Sequence, residues 1–281
     1  MINSLQTGVS GLQQFQEELE IIGNNIANVN TTGYKSSNVE FEDTFSQSLG
    51  NSGNGNPVQV GSGVGTAATV LDYSQGAINN TGVPTDLAVN GQGFFVVKDP
   101  ASGATYVTRD GEFSVDASGY LVTNNGQRVQ GYTGGGTGSA IGDLQISDSA
   151  AIAALQNTTT PPPGLVSYNI DNLGHINAEL SDGASGIIGQ IALQNFANPQ
   201  ALQKQGNNLL SYTSAAGPLA SAAAPGSGNL GQIRSGALES SNVDLATQMA
   251  TLITAQRAFE SNTKIITTSD QLLQDVNNLV R

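Results

Sequence analysis

Apolar side chains recur every three or four residues along the start of the chain, which is the spacing that keeps them on one side of an α-helix. We therefore predict an N-terminal helical segment. It is predicted to close at residue 33, because Asn30-Thr31-Thr32-Gly33 contains residue types that end helices. Its apolar stripe, a candidate packing seam, consists of Leu5, Val9, Leu12, Leu19, Ile22 and Ile26.

The C-terminal segment 240–281 is also predicted to be helical, and Ser241 with Asp244 approximates a capping box at its start. Its apolar row repeats every seven residues and consists of Leu245, Leu252, Phe259, Ile266, Leu273 and Val280. The second row, three residues further on, is small or polar at Gln248, Ala255, Asn262 and Ser269. A seven-residue period favours coiled-coil packing, which wants both rows apolar. Such stripes are also typical of the core-facing sides of ordinary helices, so the pattern leaves open whether the other terminal helix or neighbouring copies complete this seam.

Between the helices the apolar period changes to two and the runs become short, which is typical of β-strands. Turns are predicted at Asn90-Gly91, Asp110-Gly111, Ser118-Gly119 and Asn125-Gly126, whose residues tolerate a positive φ. Such closely spaced hairpins indicate an antiparallel sheet. The predicted strands cover 87–89, 94–97, 106–108, 113–115, 120–122, 128–132, 166–170, 175–180, 187–196 and 209–212.

The predicted fold class is α+β, with the terminal helices paired as a coiled-coil-like layer and an all-β domain between them. Residues 1–33 and 240–281 form the helical domain, and the Gly/Ser/Asn-rich segment 34–68 is predicted to be a linker or extended loop. The β-rich domain covers 69–239 and carries low-complexity loops near 133–165 and 214–228. Within the first loop, 149–156 is predicted to be a short helix and 158–163 a stiff extended spacer.

Composition narrows the possible partners. The net charge is −13 and the nine Lys and Arg residues are scattered, so binding to nucleic acid or to an anionic membrane surface is not expected. No apolar run reaches the length of a membrane span, and residues 1–20 lack the features of a cleavable signal peptide. The absence of cysteine excludes disulfides and thiolate metal sites.

Candidate catalytic chemistry is sparse. The single histidine, His175, is interpreted as a surface or strand residue, and Asp110, Glu112 and Asp116 lack the spacing of a calcium loop. The glycine-rich string 61–65 is not a dinucleotide-binding fingerprint. We therefore predict no enzyme activity, no cofactor and no metal.

Three segments resemble signatures of the bacterial flagellar rod and hook family. The first, GNNIANVNTTGYK, covers 23–35, the second, DLAVNGQGFF, covers 86–95 and is followed by YVTRDGEF at 106–113, and the third, GALESSNVDL, covers 236–245 and is followed by AQRAF. Together they touch both predicted helices and the β domain. The signature positions are Asn24, Asn25, Ala27, Asn28, Gly33, Gly91, Gly93, Phe94, Phe95, Arg109, Gly111, Asn242, Val243, Gln256 and Arg257.

The resemblance implies a structural subunit that polymerises into a hollow tube, with the terminal helices inside and the β domain outside. It implies contacts with copies of itself and with adjacent rod, hook-cap and hook-filament junction proteins. It also implies passage through the flagellar type III export apparatus, and thus localisation to the flagellum. No nucleic acid and no direct membrane insertion are expected.

Within the family, the segment 190–202 and the GALESS block resemble the hook protein, which transmits motor torque to the filament and conducts exported subunits. Hook subunits usually carry an outer β domain between positions equivalent to Tyr132 and Tyr168, where only about 35 residues lie here. A distal rod subunit of the basal body is therefore the first alternative. A non-flagellar extracellular β-rich binding module is the second.

Overall fold

The structure is a computed structural model, and it describes residues 2–51, 57–134, 140–146, 165–181, 183–217 and 222–279. The predicted short helix at 149–156 and spacer at 158–163 lie outside these residues, as does Val280. The chain divides into two compact units. We call Met1–Val29, Lys35–Asp72 and Val243–Arg281 the helical unit, and Asn30–Tyr34 with Tyr73–Asn242 the β unit.

The helical unit contains two long helices, α1 (Ile2–Ala27) and α2 (Leu245–Leu279). They pack side by side and antiparallel, because Gly8 of α1 faces Ile266 whereas Asn25 contacts Gln248 near the start of α2. This confirms the prediction that the terminal helices pair. At the usual rise per residue, α1 is about 39 Å long and α2 about 52 Å.

The start of α2 differs from the predicted capping box. Asp244, and not Ser241, is the capping residue: its Oδ1 accepts a hydrogen bond from the Ala246 amide at 3.0 Å and its Oδ2 accepts one from the Thr247 hydroxyl at 2.6 Å. These bonds lower the pKa of Asp244, the Thr247 bond most strongly. A carboxylate at this position satisfies amides that the first helical turn leaves without partners.

The prediction of a linker at 34–68 is wrong. Four strands cover most of this segment: β1 (Ser37–Asp43), β2 (Ser46–Asn51), β3 (Pro57–Gly61) and β4 (Val64–Leu71). β1 pairs with β4 and β2 pairs with β3, both antiparallel, and we call this paired segment the hairpin arm. Contacts with α1 hold the arm: the Phe15 and Phe41 rings meet edge to face at 6.1 Å. A segment with few apolar side chains thus forms strands because a helix supplies the packing.

The β unit contains the remaining strands. They are β5 (Ile78–Asn80), β6 (Leu87–Asn90), β7 (Phe94–Lys98), β8 (Thr105–Thr108), β9 (Phe113–Val115), β10 (Leu121–Thr123), β11 (Arg128–Thr133), β12 (Ile141–Asp143), β13 (Leu165–Ile170), β14 (His175–Leu180), β15 (Ser185–Ile191), β16 (Leu193–Gln194), β17 (Gln203–Gly206), β18 (Leu209–Ser211), β19 (Gln232–Ser235) and β20 (Ala237–Glu239). Every predicted strand is present, whereas β5, β12, β17, β19 and β20 were not predicted.

All strand pairs of the described residues are antiparallel, as predicted. The main sheet has the order β13-β14-β15-β11-β7-β8-β18-β17. β9, β10, β12 and β16 join it at β11 and β7, and the pairs β19-β6 and β20-β5 lie apart from it. The sheet is therefore built from local hairpins together with the long-range pairs that bring β15 and β18 beside earlier strands.

β7 lies at the centre of the packing because both of its faces are buried. Phe95 and Val97 enter one hydrophobic core, with Leu121 and Ile191 among its fully buried members. Phe94 and Val96 point to the opposite side and enter a second, smaller core. This explains the unbroken apolar run of β7, since a strand that is covered on two sides needs no polar alternation.

The predicted low-complexity loop at 214–228 contributes to this second core. Ser214–Ala216 forms a 3-10 turn, and Ala216 and Ala222 are buried against the β7 side chains. Small side chains fit there because the aromatic rings of the same cluster already fill most of the space. Residues 218–221 and 135–139 lie outside the described part of the chain.

Candidate assembly surfaces

The predicted seam of α1 is only partly buried by contacts within the chain. Ile22 is buried, whereas Val9 is 45% exposed. The other predicted members are half-buried, namely Leu5, Leu12, Leu19 and Ile26. The apolar stripe of α1 thus runs from a packed end near Ile22 to a more open end near Val9.

The two predicted rows of α2 differ in how they contact α1. The small and polar row lies against α1: Ala255 and Ser269 are buried, and a Cβ on Gly11 would lie 2.6 Å from Asn262 Nδ2. A Cβ on Gly8 would lie 3.2 Å from Ile266 Cγ1, a member of the apolar row. The glycines of α1 let the two helices approach. The small and polar row therefore makes the closest contact with α1.

The apolar row of α2 flanks this contact. Leu252, Phe259, Ile266 and Leu273 are half-buried, while Leu245 is 45% exposed. Further apolar side chains of the helix are also exposed among the described residues, namely Met249, Ile253, Ile265, Leu272, Val276 and Leu279. This is a large apolar surface for a helix whose inner side is already packed.

Asn25 of the first signature joins three parts of the helical unit. Its side chain is buried, donates from Nδ2 to the Ser37 carbonyl at 2.8 Å and accepts from the Ser37 amide at 3.0 Å. The same Nδ2 donates to Gln248 Oε1 of α2 at 3.2 Å. Asn25 therefore ties the first residue of the arm to both helices.

The other signature residues of the helical unit are more exposed to solvent than Asn25. Asn28 donates to Asn24 Oδ1 at 2.7 Å and to its carbonyl at 2.9 Å, which closes the last turn of α1 at the surface. Ala27 and Gln256 are exposed, and Val243 is half-buried. Arg257 is 77% exposed and pairs with Glu260 at 3.0 Å. Among the described residues of the helical unit, no hydrogen bond or ion pair of the Ala27 or Gln256 side chain explains why these residues belong to the signature.

The signature residues of the β unit converge on Arg109. Its Nη1 lies 3.3 Å from Glu239 Oε2, its Nη2 donates to the Gly91 carbonyl at 2.8 Å, and its guanidinium lies 5.1 Å from the centre of the Phe94 ring. Burial lowers the pKa of Arg109, and the attraction of Glu239 opposes that shift. Arg109 stays charged because Glu239 compensates the charge inside the unit.

Glu239 is the site residue that we did not select from the sequence. Its Oε1 accepts the Gly76 amide at 2.9 Å, and its carbonyl accepts the Gly33 amide at 2.8 Å. One buried residue thus joins segments around 33, 76 and 109. The only sequence signal was its place in the GALESS block, which we had not separated from its neighbours.

All four signature glycines are required by space or by backbone conformation, and Gly91 has φ of 112°. Gly33 has φ of 64°, and a Cβ there would lie 2.6 Å from the Asp110 amide nitrogen. Gly111 has no positive φ, but its Cβ would lie 1.6 Å from the Leu87 carbonyl oxygen. Gly93 has φ of 124° beside Phe94. These positions allow the segments around Arg109 to approach one another closely.

The remaining signature residues of the β unit are Asn242 and Phe95. The Asn242 amide donates to the Tyr34 carbonyl at 3.4 Å, and its side chain donates to the Ser74 hydroxyl at 3.1 Å. Phe95 is buried in the larger core, where its ring meets Phe113 edge to face at 5.1 Å. Asn242 therefore connects the ends of the segments that form the β unit, whereas Phe95 contributes to its core.

The groups that we considered for chemistry are structural. His175 Nδ1 lies 3.1 Å from Asp171 Oδ2 in a turn. Asp116 Oδ1 accepts the Ser118 and Tyr120 amides, and Asp110 accepts the Thr32 hydroxyl at 2.9 Å. In the described part of the chain, no group of three or more metal-ligating side chains comes together. Over the same residues, neither helix is long and apolar enough to span a membrane.

Three models of known protein families match the chain in the regions that contain the three signatures. A family model described as flagella basal body rod protein matches residues 5–35. A second, flagellar hook protein FlgE/F/G D1 domain, matches 88–178. A third, flagellar basal body rod FlgEFG protein C-terminal, matches 234–279.

Relatives match over the full length. Flagellar basal-body rod protein FlgG of Bacillus subtilis is 38% identical over 288 residues, which cover 100% of both chains. FlgG of Caulobacter vibrioides is 36% identical over 287 residues, which cover 99% of each. Flagellar hook protein FlgE of Borreliella burgdorferi is 28% identical over 440 aligned residues, which cover 98% of this chain and 99% of that protein.

A helical pair built from both ends of the chain, an antiparallel β unit and three matched signatures define a flagellar axial structural protein. The chain belongs to the flagellar basal-body rod and hook protein family. This confirms the resemblance stated from the signature segments and excludes the non-flagellar binding module. The family is a structural one, in agreement with the absence of a catalytic constellation in the sequence.

Proposed function

We propose that this protein is a subunit of the distal rod of the flagellar basal body. The observation that carries the proposal is the match with FlgG proteins from end to end, with nearly equal lengths of the two chains. The alignment with the hook protein is 440 residues long, although this chain has 281. The hook protein thus carries sequence that this chain lacks, which favours the distal rod over our first interpretation as a hook subunit.

In this proposal many copies polymerise into a hollow helical tube. The exposed apolar side chains of α2 support this role, because they lie on flanks that α1 leaves uncovered. Burial of such side chains between copies would stabilise the polymer by about 1.5–3 kcal/mol for each large side chain that is fully covered. The partners in the proposal are copies of the chain, adjacent rod and hook proteins, and the flagellar type III export apparatus.

Electron microscopy of a strain that lacks the chain tests the proposal. We expect basal bodies with truncated rods, because later axial proteins would have no distal rod to assemble on. Complete rods that lack only the hook would contradict the proposal and restore the hook interpretation. Re-expression of the chain is the control, and it must restore full-length rods.

Charge substitutions on α2 test the role of the helices. Leu252→Asp or Phe259→Asp is expected to abolish assembly while the β unit stays folded, because a buried carboxylate without a partner opposes helix packing. Gln271→Asp is the matched control, since Gln271 is exposed on the same helix and is not a signature position. Normal rods from Leu252→Asp and Phe259→Asp would show that this seam is not used in assembly.

A further inference from the structure

The hairpin arm presents an exposed aromatic side chain. Phe45 is 95% exposed, more than any other large hydrophobic side chain of the described residues. It lies between β1 and β2, where the strand pairing of the arm is interrupted. The ring therefore has no packing partner in the described residues of its own chain.

The backbone beside Phe45 is held in place. The amide and the hydroxyl of Thr44 both donate to the Gly63 carbonyl at 2.9 Å. Gly63 itself lies so close to α1 that a Cβ would approach Ser10 Oγ to 2.3 Å. A side chain on a fixed backbone loses less conformational entropy on binding than one on a free loop, so Phe45 is well placed to act as an anchor.

A cavity of ≈ 490 Å³ lies on the β unit. Its floor includes the buried Phe94 and Phe196 rings, 5.9 Å apart, and Tyr73 meets Phe94 at 5.6 Å. Gln92, Ala197 and Asn229 line it and are exposed, so they form its mouth. A cavity of about 150 Å³ with apolar walls is enough to bind benzene, so a phenylalanine side chain has ample room here.

The walls have the chemistry that an aromatic side chain needs. The rings already meet edge to face, an arrangement that a further ring can extend. Arg109 also lines the cavity, is 7% exposed and has no hydrogen-bond partner for Nε among the described residues. A guanidinium is attracted to the face of an aromatic ring.

The arm is acidic, whereas the lining of the cavity carries no uncompensated charge. Residues 37–46 include Glu40, Glu42 and Asp43 and no basic residue. The cavity lining includes Arg109, whose charge is paired with the buried Glu239, and no carboxylate. The inserting ring therefore meets no repelling carboxylate in the lining, and its apolar and ring contacts carry the insertion.

We propose that Phe45 of one copy inserts into this cavity of a second copy. The inference rests on the proposed function, because a polymer supplies the second copy. The inserting ring and the receiving cavity are different surfaces of the chain, so the contact is heterologous. Each copy can donate one ring and accept another, and a heterologous contact that does not close into a ring extends into a helical assembly.

Cross-linking tests this contact, because the chain contains no cysteine. Ser46 is exposed next to Phe45, and Asn229 is exposed at the mouth of the cavity. The variant S46C/N229C replaces the chain in the source bacterium, and isolated basal bodies are treated with a short bismaleimide. We expect a ladder of dimers, trimers and larger species on a denaturing gel, since every copy carries both cysteines. Either cysteine variant alone is expected to give monomers.

A second substitution tests whether the ring makes the contact. Adding F45A to S46C/N229C is expected to reduce the ladder about tenfold to hundredfold, the factor that corresponds to burial of one aromatic side chain. F45Y should retain the ladder. V60A is the matched control, because Val60 is a partly exposed apolar residue of the same arm. An unchanged ladder with F45A would overturn the proposal, as would dimers of equal yield from S46C alone.

Blocking the cavity tests the proposed contact without changing Phe45. A197W places a large ring at the mouth and is expected to reduce the ladder as F45A does, with an unchanged thermal melt of the purified chain. The deletion strain separates the two proposals. Truncated rods in that strain without any ladder from S46C/N229C would contradict only the Phe45 contact, whereas complete rods in that strain would contradict the distal rod function.

Discussion

Glu239 holds Arg109 through a 3.3 Å contact between Oε2 and Nη1, and neither side chain is more than 7% exposed. Glu239→Ala would leave the guanidinium buried without a compensating charge. We expect the free energy of unfolding to fall by about 3–5 kcal/mol, as for other broken buried pairs. Urea denaturation of the purified chain measures the change.

The matched control is the exposed ion pair on α2. Arg257 and Glu260 are 77% and 66% exposed, so Glu260→Ala should change the free energy of unfolding by less than about 1 kcal/mol. Equal effects of the two alanine substitutions would show that burial does not distinguish the pairs. The prediction for Glu239 would then be wrong.

A second prediction concerns the side chain that joins the arm to both helices. Asn25→Ala removes the hydrogen bonds of its side chain with the Ser37 amide and carbonyl, at 3.0 and 2.8 Å. A lost buried hydrogen bond costs about 1–3 kcal/mol, so we expect marked destabilisation of the helical unit. Hydrogen exchange at Ser37 and its neighbours should accelerate.

The neighbouring asparagine provides the control. Asn24 is exposed and accepts its bond from Asn28 at the surface, so Asn24→Ala should cost no more than about 0.5 kcal/mol. Unchanged exchange at Ser37 in the Asn25 variant would mean that water replaces the asparagine side chain there.

The third prediction tests the close approach of the helices. At Gly11 a Cβ would already lie 2.6 Å from Asn262 Nδ2, so Gly11→Val is expected to cost about 1–3 kcal/mol. At Gly23 nothing lies within 4 Å of a Cβ, so Gly23→Val should be neutral or slightly stabilising. Thermal melts followed by helical circular dichroism compare the two, and the prediction fails if they shift the melting temperature alike.

The fourth prediction is a dependence on pH. Burial acts to raise the pKa of Asp143, but bonds from Gln130 at 2.7 Å and Arg128 at 2.9 Å outweigh it, so the folded pKa is below the usual value. A carboxyl whose pKa is lower in the folded state stabilises the protein above its unfolded pKa, near 3.9. That stabilisation disappears as the pH falls through the folded pKa.

Asp143→Asn should therefore be less stable than the parent chain at pH 7, and the difference should disappear as the pH falls through the folded pKa of Asp143. Because Asp143 is partly exposed, solvent screening keeps the difference below about 1 kcal/mol. Urea melts at several pH values measure the difference. Asp275→Asn on the exposed side of α2 is the control. A difference for Asp143→Asn that persists in acid would show that its hydrogen bonds, and not its charge, stabilise the fold.

Periodicity and turn chemistry are local properties, so the terminal helices and the predicted strands could be predicted from the order of residues, and the signature segments indicated the family. The run of four apolar residues in β7 could be predicted as a strand from the sequence. Its burial on both faces could not. Gly33 and Arg109 could be selected from the signature, but their partners could not.

Contacts between distant residues explain the features that the sequence did not predict. The arm forms strands because α1 packs against Phe41, which no pattern within 34–68 indicates. The small row of α2 makes the closest contact with α1 because Gly11, far away in the chain, lies opposite Asn262. Glu239 is a central residue because folding brings the segments at 33, 76 and 109 to it. Local periodicity predicts the helices and most strands of the β unit, whereas packing between distant segments decides whether the arm forms strands and which surfaces are buried or exposed.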